Sequence, residues 1–213
     1  MNYEEHGFII SADLGQVNDF TAITIIERIS KPPEHARYGG EYYPREMTKE
    51  YHLRHIERPE RGTPYTEIVE RLYEIYTGPE LEERNRAVVV DLTGIGRAVW
   101  DYMRKEAFPR GTAYGITITG GSQTTSPGSY QYNVPKRDLV AALQIAFQNK
   151  DLKIARGIPS ADILVKELTN FKVKINTNGT DQYEAWREGI HDDIVLSAAM
   201  GVWLAGRTHI RWS

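Results

Sequence analysis

The sequence predicts an α/β protein with one central mixed sheet, in which an antiparallel meander is joined to parallel strands and flanked by helices. Two observations carry this prediction. The N-terminal part contains three runs that are β-branched or alternate between apolar and polar residues, as the strands of a meander do. Further along, short apolar runs alternate with helical patterns, which is typical of parallel strands covered on both faces.

The composition is that of an ordinary globular domain: 213 residues, 40% hydrophobic and 26% charged. We expect a single domain over residues 1–207 and a tail over 208–213. No run of about 18 apolar residues occurs, so no membrane span is expected. The absence of cysteine excludes disulfides and thiolate metal sites. A net charge of -3 argues against a surface that binds nucleic acid everywhere, but it allows a local basic groove beside an acidic site.

The meander is predicted from strands at residues 7–15, 20–29 and 49–57. A four-residue link between the first two indicates a hairpin. The third strand alternates with polar residues, which indicates an edge position. Residues 31–48 contain Pro32-Pro33 and Gly39-Gly40 and are predicted to be a loop or an insertion.

Helices and parallel strands are predicted to follow. Thr63 is the expected N-cap of a helix, with Pro64 at its first position and Gly78 at its end. Residues 87–91 are a short apolar run that closes on an acid, as in a central parallel strand. A helix follows residues 92–96, and residues 113–119 form a further strand.

The second half contains a predicted loop, two helices and a hairpin. Residues 120–129 are rich in Gly and Ser and are expected to be a mobile loop. Helices are expected from Pro135 and over residues 163–171. Strands over 171–175 and 180–186 would flank Asn178-Gly179, a strong hairpin signal.

Asp192 and Asp193 open a C-terminal segment that is apolar on almost every side, which predicts a buried helix. An ionised carboxylate is costly to bury unless it is paired or bound to a metal. The simpler alternative is that both acids have no role beyond occupying a helix start, where the helix dipole favours negative charge.

Acids also close two predicted strands, Asp13 the first and Asp91 the central one. Because the carboxyl ends of neighbouring strands meet in one crevice, these acids and the helical pair are expected to lie together. Like charges in proximity raise each other's pKa, and a divalent cation resolves that conflict. Carboxylates without cysteine suit two Mg²⁺ or Mn²⁺ ions, which can promote phosphodiester hydrolysis.

Three motifs carry a resemblance to a known family. They are Asp13-Leu14-Gly15 with Asp19-Phe20-Thr21-Ala22, Val88-Val89-Val90-Asp91 with Gly94-Ile95-Gly96, and Gly189-Ile190-His191-Asp192-Asp193. Together they resemble the ribonuclease H-like nuclease domain of the large terminase subunit, the DNA-packaging protein of tailed bacteriophages. The resemblance implies a ribonuclease H-like fold. It also implies that Asp13, Asp91, Asp192 and Asp193 are the catalytic, metal-binding acids. Adjacent helical residues point about 100° apart, and Asp193 is favoured as the main ligand of its pair.

The resemblance further implies a metal-dependent endonuclease that cuts concatemeric double-stranded DNA with little sequence specificity. Its expected partners are a terminase ATPase domain, the small terminase subunit and the portal, in the cytoplasm of an infected or lysogenic bacterial host. The sequence departs from a complete large terminase because it has no Gly-x-x-x-x-Gly-Lys-[Ser/Thr] phosphate loop. We therefore expect that this chain alone does not hydrolyse ATP.

Residues around the acids are assigned supporting roles, each with a structural alternative. Lys136 and Arg137 at a helix start are candidate phosphate contacts or solvated charges. Lys172 and Lys174 are candidate DNA contacts or protective lysines on a solvated edge. His191 is expected to brace the acids, with a catalytic role as the alternative. Asp19 is expected to form a turn beside the acids, with a role as a ligand as the alternative. Gly94 and Gly96 fit either a phosphate contact or tight packing.

Three rival functions remain open from the sequence. A non-catalytic DNA-binding or assembly module would keep the fold without the chemistry. Another ribonuclease H-like metal nuclease, of the resolvase or recombinase type, would share the acids. Actin-like sugar kinases and ATPases share the sheet but duplicate it, whereas 213 residues provide one copy.

Overall fold

The computed structural model describes residues 4–15, 19–31, 47–93, 97–175 and 192–207, with the backbone alone described at 169–175. These residues form an eight-stranded mixed sheet flanked by helices, which confirms the α/β class. In chain order the strands are β1 (Glu5–Asp13), β2 (Ala22–Lys31), β3 (Thr48–Glu57), β4 (Arg86–Asp91), β5 (Ala113–Thr119), β6 (Thr125–Gly128), β7 (Gln131–Pro135) and β8 (Leu152–Ile154). The helices are α1 (Tyr65–Thr77), α2 (Arg97–Tyr102), α3 (Lys136–Gln148), α4 (Ala161–Ile175) and α5 (Asp193–Gly206), and a π-helical turn (Met103–Ala107) extends α2.

The meander is confirmed. Strands β1, β2 and β3 pair antiparallel in succession, with Asp13 opposite Ala22 where β1 ends and β2 begins. The predicted edge position of β3 is wrong, because β8 pairs with it in parallel from Tyr51 to Leu53. Strand β8 has only three residues, too few to display an alternating pattern in the sequence.

The predicted central strand is confirmed as β4, which lies between β1 and β5 and is parallel to both. Its side chains are buried on both faces of the sheet, with Val88 in one core cluster and Val89 in the other. Across the sheet the order is β6-β7-β5-β4-β1-β2-β3-β8. Strands β1, β3, β4, β5 and β7 therefore all end at the same edge, which is called the carboxyl edge below.

The prediction that residues 120–129 are entirely loop is wrong. Strand β6 lies within this segment and pairs antiparallel with β7, with Thr125 opposite Asn133. Its residues are largely exposed and include Pro127, so no hydrophobic pattern marks it. Proline is tolerated here because β6 is at the edge of the sheet that the described residues form, with β7 as its partner on one side.

The start of α1 differs by one residue from the prediction. Pro64 is the N-cap, with φ of -58°, and the Thr63 hydroxyl donates to the Glu60 carbonyl at 2.7 Å. Thr63 therefore closes the preceding turn. The helix ends before Gly78, as predicted.

The predicted strand over residues 171–175 is also wrong, because α4 continues through Ile175. The alternating Phe171-Lys172-Val173-Lys174-Ile175 pattern favours a strand only weakly. Extending an existing helix fixes one residue for each hydrogen bond gained, whereas a new element needs its own nucleus. The second strand of the predicted hairpin and Asn178-Gly179 lie outside the described residues.

Helix α5 is buried along almost its whole length, as its apolar sequence predicts. It packs on the sheet face that carries Ile9 and Ile26, while α1 covers the opposite face at Ile10 and Val88. Among the described residues, no helix is both long and apolar enough to cross a membrane.

Gly201 allows α5 to approach the sheet closely. A Cβ atom added at this position would lie 2.8 Å from Cγ1 of the fully buried Ile26. We expect Gly201→Ala to lower the free energy of unfolding by about 1–3 kcal/mol through overpacking, net of the helix propensity that alanine adds. Urea unfolding measures the change. Gly206→Ala is the matched control, since its Cβ would meet only the Tyr51 hydroxyl at 3.5 Å, and a similar loss in both variants would contradict the packing argument.

Candidate active site at the carboxyl edge

Asp13 and Asp91 are the last residues of two adjacent parallel strands. Ala12 of β1 is in register with Val90 of β4, so the two acids that follow lie side by side. Because side chains alternate along a strand, Asp13 is on the same face as Ile9 and therefore points to the α5 side of the sheet. Asp91 shares that face through Val89. Both acids are buried.

The third acid reaches this edge through the packing of α5. The Ser197 hydroxyl donates to the Ser11 carbonyl at 2.9 Å and is 2.9 Å from the Thr24 hydroxyl oxygen. The Ser11 hydroxyl donates to the Ser197 carbonyl at 2.6 Å. Four helical residues rise about 6 Å and two strand residues about 6.6 Å, so Asp193 lies level with Asp13. These polar contacts fix the height of the helix on the sheet.

The charges of the neighbouring acids act on Asp13. Burial raises the pKa of Asp13 well above its usual range, and the charges of Asp91, Asp193 and Asp192 raise it further. Lys136 acts in the opposite direction. The Asp91 carboxylate accepts a hydrogen bond from the Thr93 N–H at 2.7 Å, which orients it at the strand end.

Asp193 lies against Arg58, whose guanidinium Nη2 is 2.8 Å from Asp193 Oδ2. Burial raises the pKa of Asp193 to about 6, the charge of Asp19 raises it as well, and Arg58 opposes both. Arg58 follows the carboxyl end of β3 and was not predicted from the sequence. Asp19 is thus close enough to the cluster for its charge to act on Asp193.

Asp192 points to a different cation. Lys136 Nζ, at the first residue of α3, is 3.0 Å from Asp192 Oδ2. The two members of the acid pair thus contact different elements, Asp192 as the N-cap of α5 and Asp193 as its first residue. Arg137 instead donates to the Ser122 carbonyl and lies 3.5 Å from Asp138, on the outer side of α3.

A second arginine lies beside this corner of the site. The guanidinium carbons of Arg58 and Arg61 are 4.0 and 3.9 Å from the centroid of the Phe20 ring, within cation–π distance. Arg61 is exposed, whereas Arg58 is largely buried by its contact with Asp193. The acid cluster is therefore flanked by positive charge from two directions, α3 and the turn after β3.

Glu167 of α4 is a further acid that sequence reasoning missed. Its Oε2 accepts the Val195 N–H at 3.1 Å, and its side chain is buried. Burial raises the pKa of Glu167 to about 7. In the sequence it resembles any acid on an amphipathic helix, and only the packing of α4 against α5 reveals its position.

Several predicted residues are not placed in the cluster. Lys172 and Lys174 lie in α4 rather than on a hairpin face, and their side chains are outside the described part of the chain. His191, Gly94 and Gly96 lie entirely outside the described residues. Among the side chains that are described, no three from His, Asp and Glu already form a group that could hold a metal ion.

Comparisons of the chain with protein-family models, curated proteins and solved structures found no match.

Proposed function

We propose that the chain is a metal-dependent DNA endonuclease with a ribonuclease H-like fold. The observation that carries this proposal is the meeting of Asp13, Asp91 and Asp193, with Asp192 beside them, at one edge of the sheet. Three different elements supply these acids, and burial, followed by the charges of the other acids, raises the pKa of Asp13. Structural acids on a surface have no reason to converge in this way, whereas perturbed carboxylates in a crevice are typical of functional sites.

The chemistry of the donors fits two Mg²⁺ or Mn²⁺ ions. Carboxylate oxygens are the preferred protein ligands of these hard cations. A cation would also offset the repulsion that raises the pKa of Asp13. Asp13, Asp91 and Asp193 would hold the ions, and Asp192 would contribute or remain with Lys136.

The chemistry supplied by ions held there would be activation of a water molecule and neutralisation of the charge that develops at a phosphodiester. The residues of the chain would bind and orient the substrate around them. Arg58 holds Asp193 in place through its 2.8 Å contact. Lys136, the cation beside Asp192, would contact a phosphate of the DNA backbone. Because phosphate contacts carry no base information, little sequence specificity is expected.

The biological setting that we propose is DNA packaging in a tailed bacteriophage. The support is the resemblance of the three acid motifs to the nuclease domain of large terminase subunits. Double-stranded DNA would be the substrate, and a terminase ATPase domain, a small terminase subunit and the portal would be the partners. The same site would also serve a resolvase-type nuclease, and the choice between them rests on the motifs alone.

Cleavage of supercoiled plasmid tests the proposal. We expect the purified chain to nick and then linearise plasmid in Mn²⁺ or Mg²⁺ and to leave it intact in EDTA. Plasmids of unrelated sequence should be cut at similar rates. If no metal supports cleavage and none raises the melting temperature, the nuclease proposal fails, and a non-catalytic DNA-binding module becomes the better account.

A further inference from the structure

Helix α5 begins without a cap from its own N-terminal residue. Asp192 occupies the N-cap position, but its side chain accepts no hydrogen bond from the helix backbone. Its carboxylate contacts Lys136 instead. The first intrahelical bond runs from the Leu196 N–H to the Asp192 carbonyl at 2.9 Å, which leaves the N–H groups of the first turn to find other partners.

Glu167 supplies the missing acceptor from another helix. The Val195 N–H, which an N-cap side chain normally serves, donates to Glu167 Oε2 at 3.1 Å. The two residues are 28 positions apart in the chain. Glu167 is only 6% exposed, so water does not compete strongly for this bond. The carboxyl group also lies near the positive end of the α5 dipole, where negative charge is stabilised.

We propose that Glu167 is a positioning residue, which caps α5 from helix α4 and thereby holds Asp192 and Asp193 in the acid cluster. The cap leaves the Asp192 carboxylate available for Lys136 and for a cation. The consequence for cleavage rests on the proposed nuclease function, whereas the consequence for α5 does not.

The burial of Glu167 supports a specific role. Among the described residues no donor reaches its other oxygen, Oε1, which is also buried. A buried carboxyl with one unsatisfied oxygen costs stability, and the bond to Val195 offsets part of that cost. Burial raises the pKa of Glu167 to about 7, so the neutral form is well populated near neutral pH. Glutamine, which is neutral and keeps a carbonyl acceptor, is therefore a close substitute.

Two variants separate the cap from other effects of the side chain. We expect Glu167→Ala to speed amide hydrogen exchange at Val195 by about 5-fold, the factor that corresponds to the loss of a typical helix cap. Glu167→Gln should restore most of the protection. With Mn²⁺ or Mg²⁺, Glu167→Ala should lower the cleavage rate by about 10- to 100-fold and raise the metal concentration needed for half-maximal thermal stabilisation. DNA affinity measured in EDTA should not change. Lys166→Ala, at an exposed neighbouring position of α4, is the matched control and should behave as the parent.

Each outcome decides the proposal. Unchanged exchange at Val195 in Glu167→Ala would overturn the cap. Faster exchange with an unchanged metal response would overturn the positioning role. Equal damage from Ala and Gln would show that the charge matters rather than the hydrogen bond, and would overturn it as well. If the parent cuts no DNA, the exchange and metal measurements still decide this inference, so the two proposals fail separately.

Discussion

Asp91→Asn is expected to abolish metal-dependent cleavage while leaving the fold intact. Asparagine has the same shape as aspartate and keeps the oxygen that accepts the Thr93 N–H at 2.7 Å. It removes the charge from the centre of the cluster, beside Asp13. Mutating a residue that only supports a metal ligand lowers activity by about 10- to 100-fold. Removing a ligand itself should therefore lower the cleavage rate by more than about 100-fold. The measurement is the rate of plasmid nicking in saturating Mn²⁺, with circular dichroism to confirm the fold.

Asp162→Asn is the control for Asp91→Asn. Asp162 is an exposed acid of α4 that contacts only Lys166, at 3.9 Å, among the partners that the described residues show. The substitution makes the same chemical change away from the carboxyl edge, and we expect parental rates. Cleavage that survives Asp91→Asn at a comparable rate would mean that the nicking comes from another site or another protein.

The acid cluster was predictable because each of its members lies next to a strong local pattern. Asp13 and Asp91 close short apolar strands, and strand direction alone places both at the carboxyl edge. The apolar run after Asp193 predicts a buried helix whatever its neighbours are. What connects the helix to the acids, however, is the contact of Ser197 with Ser11 and Thr24, and the sequence shows these only as small polar residues.

The wrong predictions of secondary structure concern segments in which contacts with neighbouring elements outweigh the conformational preference of the local sequence. Strands β6 and β8 have no apolar pattern of their own and are strands because a neighbour offers them backbone hydrogen bonds. The end of α4 alternates between apolar and lysine residues, so its sequence predicts a strand although the segment is helical. Glu167 and Arg58 were missed for a related reason, since an acid on a helix and an arginine after a strand are ordinary until α5 is packed against them.

Asp13→Asn is expected to stabilise the metal-free protein at neutral pH. Burial and the neighbouring acids raise the pKa of Asp13, so its ionised form is disfavoured in the folded state. Removing that charge should raise the free energy of unfolding by about 1–2 kcal/mol in EDTA at pH 7.5. For a chain of this size that corresponds to a rise of about 2–4 °C in melting temperature per kcal/mol. Asp162→Asn should leave the melting temperature nearly unchanged.

The pH dependence of stability in EDTA follows from the same cluster. The folded-state pKa values of Asp193 and Glu167, about 6 and about 7, lie above their ordinary values of 3.8 and 4.5. The folded protein therefore binds more protons than the unfolded chain between about pH 4 and pH 7. A rise in pH disfavours the state that binds more protons, so the free energy of unfolding should fall across this window. Because both groups are partly screened by solvent, each contributes at most about 3 kcal/mol.

Other carboxylates oppose this trend only at lower pH. Burial acts to raise the pKa values of Glu27 and Glu57, but hydrogen bonds outweigh it and lower both. The partners of Glu27 are His6 and Arg54, and those of Glu57 are Arg71 and His55. The stability that these two groups contribute is present above about pH 4.5 and is lost as pH falls below that value. The two trends meet near pH 4.5, where the stability of the metal-free protein is therefore expected to be greatest.

Thermal unfolding from pH 4.5 to 8 in EDTA, repeated with Mn²⁺, measures both effects. The parent should lose stability from pH 5 to 7.5 in EDTA, and Mn²⁺ should restore it at pH 7.5, because bound ligand stabilises the folded state by mass action. Asp13→Asn should show a shallower loss and a smaller response to Mn²⁺. A parent that gains stability over this range would contradict the crowding of acids at the carboxyl edge. The same repulsion that lowers stability without metal is what gives a divalent cation its affinity, so the two measurements should change together.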